Sequence, residues 1–458
     1  MAAAYYMSVS IDNPIDALIY FFIAVLLVII GTYLLFICGS VLLCKLLQKN
    51  KRYYYRKEHF ISVSSMAYRM KRNGAGLASI CILLTMVFVM ISSTACLYFG
   101  AEDSLLMRYP REILLQLQAS EKDLTTTQTE IDKLVERYRV TQSNLCDYNE
   151  YTTAGLLRGT DVILDESEVE GIISYSDLLD LHFISLADYN RATGKSVTLQ
   201  SGEALIKYLH TEKKISELHI NDIDITVVGS AEDLTVDGSA ASLAVSTVFL
   251  IVDDIDETLE PLLSLQNEYG LPMVERSWVY GFDTNLEPEQ QIALKNDIAT
   301  VVMSQPFKNV KFSIGCRNEE HDDFFGTYGG FFFLGIMLSI LFMVATVLII
   351  YYKQISEGYE DQPRFGIMQK VGMNQKDIRR SIRSQMFTVF YLPILFSTLH
   401  LAFAFPIIRK LLMLFNVNNL SLFLGTTGIS ICLFAALYTA IYAITSNLYY
   451  DIVSGAKE

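Results

Sequence analysis

The sequence predicts a polytopic α-helical membrane protein of about five spans, with a large α+β extracellular domain inserted between the second and third. Three observations carry this. The 458 residues are 52% hydrophobic with a mean hydropathy of +0.32, too apolar for an ordinary soluble chain. Five runs carry no Asp, Glu, Lys or Arg (Ala17–Cys44, Asn73–Ala101, Phe324–Tyr352, Ser384–Ile408 and Leu420–Leu448), and each exceeds the ~20 residues that cross a bilayer as a helix. Charge is also segregated. Glu102–Phe325 holds 17 basic against 41 acidic residues, whereas the remainder holds 19 basic and 9 acidic. An acidic soluble insert is grafted onto a basic membrane body. Nothing in either part presents a basic groove with stacking aromatics, which excludes nucleic acid as a partner.

Taken in order, residues 1–101 form two spans joined by a basic cytoplasmic loop. Residues 1–16 carry Asp12 and Asp16 and no base. The 28 uncharged residues that follow are too long for a signal-peptide core. The first span enters from outside, because Lys45–Arg72 then brings nine basic residues against Glu58 alone, and short basic loops stay cytoplasmic. That loop is expected to end in an amphipathic helix on the inner leaflet. The second span runs outward into the insert, residues 102–323. Ile113, Leu114, Leu117, Leu124, Ile131 and Leu134 are spaced for one helical stripe, a stalk. Strand-like runs follow at Asp161–Leu164, Ile223–Val228, Ser246–Val252 and Ser277–Phe282. Helix-like runs are Ser176–Tyr189, Asp256–Glu268 and Pro288–Met303. The intermixed order argues α+β.

Candidate chemistry within the insert is sparse. Gly194–Lys195–Ser196 lacks the earlier glycine of a phosphate loop, since Tyr189 stands there, and reads as a turn. The acidic runs Asp161–Glu170 and Asp253–Glu260 lack calcium-loop spacing and read as solvated faces. Their field would still draw cationic ligands. Cys146 and Cys316 leave two readings open, a disulfide outside the cell or free thiols. The other cysteines sit in or beside apolar runs as small hydrophobes. No metal constellation, nucleophile elbow or Walker motif appears, so the chain is expected not to be an enzyme.

Residues 324–458 hold three more spans. Gly329, Gly330 and Gly335 in the third permit close helix contact, with kinking as the rival reading. The loop Lys353–Gln385 carries seven basic and four acidic residues and is therefore cytoplasmic. Pro363 can open a short helix, Phe365, Met368 and Val371 share a face, and Gly372 stops it. A second helix starts near Asn374 and runs into the fourth span. The short helix has two open readings: a docking element for a soluble partner, or an interfacial helix on anionic lipid. His400 lies inside the fourth span and is a functional candidate by position, with a hydrogen bond to a neighbouring helix the plainer reading. Arg409 and Lys410 follow on the outer side, where bases could meet lipid-linked phosphates.

The stretch IIYYKQISEGYEDQPRFGIMQKVGMNQKDIRRSIRSQ resembles the coupling segment of FtsX-like ABC-transporter permeases, in their BceB-type, bacitracin/lantibiotic-resistance branch. FISVSSMAYRMKRNGAGLASICILLTMVFVMISSTACLYFG, ADYNRATGKSVTLQSGEALI, QMFTVFYLPILFSTLHLAFAFPIIRKLL and YAITSNLYYDIV resemble the same family, so the likeness covers most of Phe60–Val453. Gly366 departs from it, standing where a polar or acidic residue is usual. The resemblance implies a bacterial plasma-membrane permease subunit with an ABC ATPase partner, a dimer, that holds ATP and Mg; the permease itself binds no cofactor. It assigns ATPase coupling to Arg364, Phe365, Ile367, Met368, Gln369, Lys370, Val371 and Gly372, and leaves His400, Arg409 and Lys410 as candidate contacts to ligand or the lipid bilayer. It implies that the insert and a lateral cleft free a cationic antimicrobial peptide from a lipid-linked cell-wall precursor. A sensing scaffold that signals to a membrane histidine kinase is the alternative, and a non-functional half-permease the third. The family's full permease has ten spans, so this chain looks like its C-terminal half to two-thirds.

Overall fold

The computed structural model describes residues 1–11, 14–49, 57–119, 121–164, 177–209, 214–236, 238, 245–269, 274–304, 311–370, 375–417 and 419–454. Among them, five helices are long and apolar enough to cross a membrane: Pro14–Gly39, Gly74–Phe99, Arg317–Ile367, Phe390–Met413 and Leu420–Val453. Their exposed faces are lined by residues such as Phe22, Leu26, Leu341 and Ile429, as lipid-facing surfaces require.

A short helix, α1 (Ala2–Ser10), precedes the first span, α2 (Pro14–Leu34), where the sequence pattern marks no element. A π-turn at Leu35–Gly39 leads into α3 (Ser40–Lys49). The next helix, α4 (Lys57–Phe99), runs 43 residues without a break. The separate inner-leaflet helix expected in the basic loop is therefore the first turns of α4. Only Gly74 and Gly76 oppose continuation, at about 1 kcal/mol each, and Gly74 is where the backbone of Phe36 packs closest: a Cβ there would lie 2.6 Å from the Phe36 carbonyl oxygen.

After α5 (Ala101–Arg108) the chain enters a ten-stranded sheet. In chain order its elements are β1 (Ile113–Gln118), α6 (Glu121–Tyr138), β2 (Ser143–Arg158), β3 (Asp161–Ile163), β4 (Leu178–Ser185), α7 (Leu186–Thr193), β5 (Glu203–Leu209), β6 (Glu217–Ile220), β7 (Ile223–Ser230), β8 (Ser246–Val252), α8 (Ile255–Tyr269), β9 (Glu275–Asp283), α9 (Pro288–Ser304) and β10 (Lys311–Cys316). The strand order is β10-β1-β9-β2-β3-β6-β7-β5-β8-β4, and a further β2–β4 pairing curls the sheet back on itself. Parallel and antiparallel pairs mix.

Two expectations fail here. Ile113, Leu114 and Leu117 belong to a strand, not to a helical stalk, and only Leu124, Ile131 and Leu134 lie on a helix. Ile113, Leu115 and Leu117 also fit a period of two, and β9 and β10 flank them on both sides. Their face packs against Leu124, Ile131, Leu294, Ile298 and Val302. Likewise, within the helix expected over Ser176–Tyr189, Leu178–Ser185 is a strand between β2 and β8. A helix begins only after Ser185, whose side chain accepts from Asp188 N at 3.0 Å, and ends at Gly194 with φ of 69°. Short apolar runs do not separate strand from helix; the neighbours do.

The sheet domain and the spans are bolted together. Ser104 Oγ donates to the Phe415 carbonyl at 2.6 Å, and Tyr328 Oη to the same oxygen at 3.3 Å. Arg317 Nε donates to the Tyr109 carbonyl at 2.7 Å. Arg317 also opens α10 (Arg317–Lys370), a single helix of 54 residues, about 81 Å long at 1.5 Å per residue. The glycines in it serve contact rather than kinking at Gly335, where a Cβ would sit 2.2 Å from Thr94 Oγ1 of α4. Two further helices, α11 (Gln375–Met413) and α12 (Leu420–Ser454), complete the bundle.

Candidate functional site at the distal end of α10

The short helix expected to begin at Pro363 is not separate. The helix that leaves the sheet domain at Arg317 passes through Pro363 and ends at Lys370. Pro363 removes one main-chain bond, and burial of one helix face offsets that loss. Gln354, Glu357, Gly358, Asp361 and Phe365 recur at steps of three and four and are all buried, one inward stripe. Phe365, 4% exposed, packs with Ile80 and Leu84 of α4, Met386 and Phe390 of α11, and Tyr438, Tyr449 and Val453 of α12. Asp361 accepts from Tyr449 Oη at 2.7 Å, and Arg364 Nη1 approaches its other oxygen at 3.5 Å. Gly358 lies against Ile452.

The opposite face is exposed. It carries Tyr352, Ser356, Tyr359, Glu360, Pro363, Arg364, Ile367 and Lys370, with Ile367 63% exposed. The residues assigned to coupling are thus divided by the helix period. Phe365 faces the bundle and anchors the helix. Arg364, Ile367 and Lys370 face out. Met368 and Gln369 lie in the helix, but their side chains, like Val371 and Gly372, fall outside the described residues. The stripe Gln354–Glu357–Asp361 went unnoticed in the sequence, although its spacing repeats that of the apolar span above it.

A second polar centre lies within the spans. His400, 3% exposed, receives the Tyr5 hydroxyl at Nδ1, 2.6 Å away, and places Nε2 3.0 Å from Thr32 Oγ1. Thr32 spends its proton on the Val28 carbonyl at 2.7 Å, so Nε2 carries hydrogen and Nδ1 accepts. His400 thus bridges neighbouring helices, the plainer of its two readings. Ser8 Oγ donates to Phe403 O at 2.6 Å, Lys410 Nζ donates to Ile11 O, and both fasten α1 to α11. Lys410 is buried and Arg409 half-buried. A cavity of about 300 Å³ opens beside His400, between Phe22, Val25, Val89, Phe403 and Ile407.

In the sheet domain, His182 is held between Glu150 at 3.1 Å and Asp180 at 2.9 Å. Burial opposes its charge, but Glu150 and Asp180 outweigh that and lift its pKa to about 10. Lys195, from the glycine–lysine–serine turn, pairs with Asp233 at 2.6 Å. Asp254 caps α8 by accepting from the backbone of Asp256 and Glu257. Among the described residues, no cluster of His, Cys, Asp and Glu could hold a metal. Cys146 and Cys316 are both free thiols. They sit on β2 and β10 with β9 and β1 between, about 14 Å apart at the usual strand spacing, beyond disulfide reach. The disulfide reading is thereby closed.

Comparison with known proteins joins these observations. Residues 336–450 match the FtsX-like permease C-terminal family. The chain is 21% identical over 475 residues to the uncharacterized ABC transporter permease YvcS of Bacillus subtilis, covering 98% of this chain and 66% of that protein. It is 24% identical to the ABC transporter permease protein YxdM of the same organism, covering 84% and 57%. It is also 24% identical to the bacitracin export permease protein BceB of B. subtilis, covering 93% and 62%. The chain therefore spans less than two-thirds of the length of each of these relatives.

Proposed function

We propose that this chain, which carries an FtsX-like permease domain and is homologous to BceB and other Bacillus ABC transporter permeases, is a membrane permease subunit driven by a separate ATPase. The observation that carries the proposal is α10. One unbroken helix leaves the sheet domain, crosses the bundle, and ends in a segment buried on one face and exposed on the other. The exposed face, with Arg364, Ile367 and Lys370, is where an ATPase would dock. Its movement would pass along α10, because a helix clamped by packing moves as a rigid element. On this reading the distal end is cytoplasmic, as the surplus of bases at Lys353–Gln385 favours, and the acidic sheet domain is extracellular. ATP and Mg reside on the partner. The ligand class is a cationic antimicrobial peptide of the bacitracin or lantibiotic type, engaged on its lipid-linked precursor; the net acidity of the domain supports attraction of such peptides.

The test is affinity purification of the tagged chain from detergent-solubilised membranes. An ABC ATPase should co-purify with the wild type and be lost from Ile367→Asp, which places a charge on an exposed position and leaves the bundle intact. An ATPase retained by the variant, or a histidine kinase in place of any ATPase, overturns the proposal.

A further inference from the structure

We propose that Asp361 and Tyr449 form a latch that fixes the rotation and order of the distal end of α10, acting as positioning residues for the face that bears Arg364, Ile367 and Lys370. Their functional meaning rests on the ATPase reading above, while their geometry stands apart from it. Asp361 is 5% exposed and Tyr449 1%. The Tyr449 hydroxyl donates to Asp361 Oδ2 at 2.7 Å. A hydrogen bond to a carboxylate is stronger than a neutral one, and a buried carboxylate that loses one of its donors is destabilised.

The position of the pair decides its role. Pro363 has no N–H to return to the Tyr359 carbonyl, so the helix ladder is open at the turn that contains Asp361. Beyond Phe365, the described side chains of α10 are half-buried or exposed. Among the described side chains, Asp361 and Phe365 are the last inward anchors of α10, placed on either side of a weakened turn. Both reach the same end of α12, where Tyr449, Ile452 and Val453 lie. Of the two anchors, Phe365 supplies non-directional packing, which tolerates rotation. The Tyr449–Asp361 bond is directional and sets which residues point outward. Opening it frees the distal end to turn without breaking the bundle core, since Tyr438 remains bonded to the Phe390 carbonyl at 3.1 Å.

Hydrogen exchange by mass spectrometry on the full chain in nanodiscs tests this without any ATPase. Tyr449→Phe keeps the ring in the buried cluster that includes Phe365, so the bundle should fold; Asp361→Asn removes the charge. In either variant, peptides covering residues 359–370 should exchange at least about tenfold faster. The double variant should add nothing further, as two halves of one bond require. Peptides from Phe390–Met413 should not change, whereas a merely structural role would loosen them as well. Unchanged protection at 359–370 in both single variants overturns the latch, and so does loosening spread equally over the bundle. ATPase co-purification with the wild type is scored separately: faster exchange with no ATPase sinks the permease reading and spares the latch, and the reverse result does the opposite.

Discussion

Breaking the buried ion cluster of the sheet domain should destabilise that domain in a pH-dependent way. His182 is 4% exposed and lies against the aromatic ring of Phe249, and the Glu150 side chain on the neighbouring strand β2 is fully buried. Replacing His182 by leucine leaves the Glu150 carboxylate buried without its cation, which costs about 3–5 kcal/mol. In the wild type the sign follows from the raised pKa. The imidazolium form is favoured on folding, so its contribution is complete below pH 6.5 and lost as pH rises toward 10. The slope has a ceiling of about 1.4 kcal/mol per pH unit. Between pH 7 and 9.5 the wild type should therefore lose on the order of 3 kcal/mol, while His182→Leu stays nearly flat. The chain has one tryptophan, Trp278 on β9, bonded through Nε1 to Asp147 at 2.8 Å. Its fluorescence during denaturant unfolding therefore reports this domain alone. The Glu150→Leu/His182→Leu double variant should recover most of the loss, because removing both charges removes the orphan. Equal midpoints at pH 7 and 9.5, or a His182→Leu variant as stable as the wild type, would refute the reasoning.

The bundle offers two further tests. Gly335→Val should force α10 away from α4 and cost about 1–3 kcal/mol, seen as a lower melting temperature of the detergent-solubilised protein. Gly330→Ala, with nothing within 4 Å of the added methyl, should not lower it and should raise it slightly, because alanine favours the helix over glycine. His400→Ala strands the Tyr5 hydroxyl and should release α1, raising proteolysis or hydrogen exchange within residues 2–10, while α11 stays protected.

The five spans were legible because the bilayer demands one property, length of uncharged chain, which a linear sequence displays directly. The same holds for β8 and for α8 and α9, where pattern and length point the same way. The segment to which the resemblance assigns coupling stands out in the sequence as a stretch, but not as a site. Its residues are sorted by rotation about α10, and only the positions of α4, α11 and α12 decide that Phe365 lies inward and Ile367 outward. Tyr449 and Asp361 are 88 residues apart, so no local pattern joins them. Strand β1 and the strand at Leu178–Ser185 were lost for a related reason: each fits two periodicities, and only flanking strands break the tie. The two thiols complete the contrast. Composition placed Cys146 and Cys316 in one domain, and sheet order alone keeps them three strands apart. What the chain determines by itself is where it is apolar and charged; which faces meet is decided by packing, because burial depends on neighbours that sequence distance does not encode.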